Sequence, residues 1–155
     1  MTTTEVTLQA TDLYPAPAKT AKLAVRKHIV KPTGAAQSAG CEDGKPASGC
    51  VDILSAGAMP SIPAVGGAIT DYSLTVVHEP QANGAYFLGE LEKFVHVSPQ
   101  RFASVEVKGS GACGLTATVK GTAGEKVKHA CIDAKGTVHA TETTIAEGGV
   151  AQVTI

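Results

Sequence analysis

Residues 113–155 constrain the fold most, because two cysteines there sit on what read as neighbouring strands, and a tight hairpin follows the second. Cys113, Leu115, Ala117 and Val119 fall on one face and Thr116 and Thr118 on the other, the two-residue period of a half-buried β-strand. After the turn Gly121-Thr122-Ala123-Gly124 comes a strand over 126–132 containing Cys131, then Asp133-Ala134-Lys135-Gly136, then a strand over 137–145. Asp at the first position and Gly at the fourth suit a type I turn whose glycine takes the left-handed conformation. The block predicts an antiparallel meander in which Ile132 faces Val138 and Cys131 faces His139. A Cys113–Cys131 bridge would tie its first two strands.

The rest of the chain repeats this pattern in shorter pieces. Val6, Leu8 and Ala10 alternate with polar residues, and Pro15 and Pro17 then mark a stiff connection. A strand over 21–30 places Leu23, Val25 and Ile29 on one side and Lys22, Arg26 and His28 on the other, predicting a solvated basic face. Residues 31–49 are polar, small and broken by Pro and Gly, a long loop that a Cys41–Cys50 closure would order. A short strand over 51–54 leads into residues 57–67, apolar without period, which read as an extended arm lying on the core or on a neighbouring copy. Strands over 70–79 and 85–88 flank Gln81-Ala82-Asn83-Gly84, an Asn-Gly hairpin signal. Residues 89–97 read as strand with a single helical turn, Ala103, Val105 and Val107 as a further strand, and 152–155 as a paired terminal strand.

Length and composition bound the function. A chain of 155 residues is expected to be one domain, 1–155, burying on the order of 70% of its unfolded surface. Its 13 basic and 14 acidic residues nearly cancel, and no basic run exists to neutralise a row of phosphates, so direct nucleic-acid readout is not expected. No apolar stretch approaches the roughly 20 residues that cross a bilayer, so no membrane span is expected. The first residues have no basic segment leading an apolar one; either the chain carries no secretion signal or the signal has been removed. Four cysteines in two local pairs, Cys41 with Cys50 and Cys113 with Cys131, predict two disulfides and an extracellular, virion or cell-surface location. Each closure contributes roughly 3 kcal/mol on the chain-entropy model.

Motifs for chemistry are sparse. None of His28, His78, His96, His129 and His139 stands in a nucleophile-elbow pattern, and Ser110, the serine flanked by glycines, reads as a turn residue. No phosphate-binding loop, dinucleotide fingerprint or zinc-finger spacing is present, and Asn83 is followed by Gly84-Ala85 and makes no glycosylation sequon. His129, Cys131 and His139 would share one hairpin face and are the candidate zinc or copper ligands, against the plainer reading that Cys131 is spent on Cys113. His78-Glu79 and the pair Glu90 and Glu92 read as surface decoration. No catalytic residue, cofactor or metal is assigned.

These readings predict an all-β, single-domain antiparallel β-sandwich, immunoglobulin-like or jelly-roll-like, or a barrel, with long Pro/Gly-rich loops. The expected function is a non-enzymatic structural subunit, a homo-oligomer assembling into a shell, tube or surface filament such as a virion, phage capsid or pilus. Aromatic residues make up 4% of the chain with no Trp, too few for most stacking surfaces, while near-neutral charge lowers repulsion between copies. The alternative is an accessory or carbohydrate-binding module of a secreted or cell-surface protein. The stretch from Gly136 to Ile155 is similar in cadence to immunoglobulin-like modules, with Tyr14, Tyr72 and Tyr86 as the residues to stack on sugars.

Overall fold

A computed structural model describes residues 5–7, 22–30, 40–55, 61–63, 72–93 and 97–155. The strands in chain order are β1 (Glu5–Thr7), β2 (Lys22–Val30), β3 (Asp52–Ser55), β4 (Ser61–Pro63), β5 (Tyr72–His78), β6 (Tyr86–Glu90), β7 (Phe102–Val107), β8 (Leu115–Lys120), β9 (Lys126–Ile132), β10 (Val138–Thr144) and β11 (Val150–Thr154). They form antiparallel sheets β11-β8-β7, β10-β9-β6 and β3-β2-β5, with β1 paired to β4 in a small fourth. The fold is a β-sandwich and not a closed barrel.

Two apolar layers hold it together. Leu115, Ala117 and Val119 of β8, with Phe102 and Val153 on the flanking strands, pack against Phe87, Val127 and Cys131 on one face of β10-β9-β6. Phe87 and Phe102 meet edge to face, with ring centroids 4.9 Å apart. The other face of that sheet, Leu88, Ala130, Ile132 and Val138, packs against Ala24 of β2, against Cys41 and Ala47 of the loop that the Cys41–Cys50 disulfide closes, and against Val51 just after it. The β10-β9-β6 sheet is therefore a middle layer, which is why all five residues of β6 are buried instead of alternating.

This layering corrects the expected meander. Cys113 sits in the turn that leads into β8 and Cys131 on β9, in different sheets, so the Cys113–Cys131 disulfide joins two layers and not two paired strands. The Asn-Gly turn forms, with Gly84 N–H bonded to the Gln81 carbonyl at 2.8 Å, yet it carries the chain from β5 in one sheet to β6 in another. The β9–β10 hairpin has the expected register, Ile132 opposite Val138 and Cys131 opposite His139. Cys41 and Cys50 are bonded, and the loop they close pairs with the start of β10 through Gly44 N–H to the Val138 carbonyl, 2.8 Å, and Val138 N–H to the Lys45 carbonyl, 2.9 Å. That loop covers part of a sheet edge. The solvated basic face expected on β2 is corrected at Arg26, which is only 3% exposed because it lies on the same side of β2 as Ala24, the side packed against the middle layer; Lys22 at the strand's start is exposed. Ser61–Pro63 of the expected extended arm pairs with β1 of the same chain; the remainder of that arm and the Pro15–Pro17 connection lie outside the described residues.

Candidate functional site

An open groove of about 560 Å³ lies where the end of β6 meets the turns before β7 and after β8. Arg101 lies at its centre. Its Nε donates to Glu90 Oε2 at 2.9 Å, its Nη2 to Glu125 Oε1 at 2.5 Å and its Nη1 to Glu125 Oε2 at 3.0 Å and to the Lys120 carbonyl at 2.7 Å. The two bonds to Glu125 are the forked geometry in which guanidinium and carboxylate match best. Hydrogen bonding from Arg101, then from the Thr122 N–H, holds the Glu125 carboxyl down at about 2, and the same pairing raises Arg101.

Backbone geometry puts these groups together. Regular alternation would send Glu90 to the apolar face shared by Tyr86 and Leu88. Gly89, at φ 73°, instead sits at a register shift between Phe87 and Gly89 that sets Leu88 and Gly89 against Ala130, so Glu90 pairs with His129 on the opposite face. A glycine in a left-handed conformation is the standard device for such a bulge, and bulges re-aim side chains. Gly121 is required for a different reason: a Cβ there would collide with Arg101 Nη1 and Glu125 Oε2. An isolated Gly within a strand pattern was the available signal for the bulge. Arg101, Glu90 and Glu125 carry no mutual spacing, and sequence reasoning missed the cluster.

The candidate metal ligands do not converge. Cys131 is bonded to Cys113, His139 Nε2 meets Asp133 Oδ2 at 2.9 Å, and His129 Nδ1 lies 3.3 Å from the Val127 carbonyl. Among the described residues no three His, Cys, Asp or Glu side chains are placed to hold a metal ion. Asp133 is a turn brace: its Oδ1 accepts the Lys135 and Thr137 N–H groups at 2.9 Å each. Burial pushes its carboxyl up, but the bonds from Thr137, His139 and Lys135 outweigh that and hold it below the ordinary value. Glu90 and Glu92 part company, Glu90 buried against Arg101 and Glu92 exposed in the next turn, 3.9 Å from Lys128. His78 is buried beside an exposed Glu79, and His96 lies outside the described residues.

Tyr86 is corrected as a sugar-stacking residue. Its ring is 7% exposed within the second apolar layer and its hydroxyl donates to the Lys22 carbonyl at 3.3 Å. Tyr14, like the side chain of Tyr72, lies outside the described residues.

His129 is fully buried, burial lowers its pKa, and its Nε2 has no hydrogen-bond partner among the described residues. An unsatisfied buried polar atom costs about 1–3 kcal/mol. His129→Leu, close in volume, is therefore expected to raise stability by about 1 kcal/mol in urea unfolding; a loss of that size would mean the ring has a partner that justifies its burial.

Chemically, the groove is a clamp between layers: each strong donor and acceptor at its centre is already matched within the chain. No protein-family model matches the chain, and comparisons with curated proteins and with solved structures likewise found no match.

Proposed function

We propose that the protein is a non-enzymatic structural subunit that self-assembles into a shell, tube or surface filament. The observation that carries this reading is where the polar and sulfur groups are spent. All four cysteines are in disulfides, Arg101 is locked between two carboxylates, and Asp133 braces a turn. Such a body is stiff and cross-linked between layers, and it offers neighbours sheet edges and a flat face bearing Ser104, Thr116, Thr118, Gln152 and Thr154. Two disulfides are compatible with an oxidising, extracellular setting, in which an assembly of this kind would be exposed. Stiffness serves assembly because less conformational freedom is lost on docking.

Light scattering coupled to size-exclusion chromatography, with negative-stain imaging of the peak, tests the reading. Particles larger than one chain at micromolar concentration are expected. A discrete monomer that stays monomeric on concentration would count against it.

A further inference from the structure

We propose that the outer edge of β7 is a self-complementary docking strand, which pairs antiparallel with β7 of a second copy about a two-fold axis through Val107. The inference rests on the self-assembly reading and names the surface that would serve it. β7 is an edge of the β11-β8-β7 sheet. Lys108 N–H donates to the Gly114 carbonyl at 3.0 Å, and the Lys108 carbonyl accepts Thr116 Oγ1 at 2.6 Å, so the main chain of Lys108 faces β8. In an antiparallel ladder this direction alternates, and with Glu106 opposite Thr116 and Val107 opposite Leu115, the N–H and C=O groups of Val105 and Val107 point away from β8. Among the described residues no strand takes them up. Val107 is 45% exposed although it belongs to the row that faces the core, as expected where a sheet stops one strand short.

Hydrogen-bond parity limits where a two-fold axis can pass. It must fall on a residue and not between two, and at Glu106 or Lys108 it would set like charges against each other, which leaves Val105, Val107 and the positions around Ala103. Ala103 sits at a register shift between Phe102 and Ser104 that spoils pairing there. An axis at Val105 would set Ser104 against Glu106 of the copy, a neutral match. With the axis at Val107, Glu106 lies opposite Lys108 of the second copy, twice by symmetry, in the closely spaced non-hydrogen-bonded positions where side chains interact best. The two side chains are 58% and 72% exposed and only 3.7 Å apart within the chain, so either can exchange its partner for the copy's. Val107 meets its own symmetry mate, and the two valines cover one another. The contact is isologous and joins two three-stranded sheets into one continuous sheet. Gly109, at φ 114°, turns the chain away, so the paired stretch is short and belongs with weak interfaces.

Sedimentation velocity over a concentration series up to about 1 mM tests this, a range suited to a weak interface. The proteins are the wild type, Val107→Pro, Glu106→Lys, Lys108→Glu and the double reversal Glu106→Lys/Lys108→Glu. Among the described residues nothing bonds the Val107 N–H, so proline is tolerated by the fold, as circular dichroism will verify. Val107→Pro is expected to weaken self-association by about 10- to 100-fold. Each single reversal opposes like charges and weakens it by about 10-fold, and the double reversal restores it. Wild-type protein that stays monomeric throughout overturns both the docking strand and the self-assembly reading. Wild-type assembly that persists in Val107→Pro, or single reversals that the double does not rescue, overturns the Val107-centred edge and leaves self-assembly through another face.

Discussion

Exchange of Arg101 for methionine is expected to lower stability by about 3 kcal/mol, a fall in Tm of about 10 °C for a chain of this size. The loss comes from what the guanidinium leaves behind. The Glu90 side chain is 7% exposed, so without Arg101 a carboxylate stays in a layer boundary with its charge unmatched, while the more open Glu125 regains water. Adding Glu90→Gln should recover more than half of the loss, because the orphan is then neutral. The effect also has a pH signature. Arg101 holds Glu125 at about 2 against an ordinary 4.5. A carboxyl group depressed on folding stabilises fully above its ordinary value and loses that contribution as pH falls toward its folded value. Urea unfolding should therefore show the gap between wild type and R101M narrowing from neutral pH to about pH 3. A gap indifferent to pH would contradict the assignment of the clamp to charge.

Removal of the inter-layer disulfide should cost a similar amount. Cys113 and Cys131 are 3% and 0% exposed and lie 18 residues apart in sequence, a closure worth roughly 3 kcal/mol on the chain-entropy model. The double replacement Cys113→Ala/Cys131→Ala also leaves space in the layer between β8 and β9, which adds to the loss. Replacing Cys41 and Cys50 opens a loop of separation 9 and should cost about 0.6 kcal/mol less from closure entropy alone. Thermal unfolding of the two double variants gives the order directly. Equal or reversed costs would mean the Cys113–Cys131 bond is incidental to holding the layers.

Strands, disulfide partners and the β9–β10 register were legible in the sequence because each has a local cause: two-residue alternation, short separation, and an Asp-to-Gly turn. The layer to which each strand belongs was not. Alternation in β8 says that Leu115, Ala117 and Val119 face something apolar, but the same pattern suits a neighbour across a hairpin or a sheet across the core. Tyr86–Glu90 is buried on both sides, so its period vanishes, and Arg26 looks solvated until its side of β2 is known to pack against the middle layer. The clamp was hidden for a similar reason. Arg101 meets Glu90 and Glu125 from 11 and 24 residues away, and Glu90 reaches that face only through the bulge at Gly89.

Amide hydrogen exchange, read residue by residue at a dilute and a high protein concentration, bears most directly on the claim that this is a rigid body built to dock through its edges. The middle-layer amides of β9 should be the slowest and equally slow in both samples, since their opening requires the layers to part. The Val105 and Val107 amides should exchange freely when dilute and slow when concentrated. Identical rates at every residue in the two samples would contradict docking through β7, and fast exchange throughout β9 would contradict the layered core.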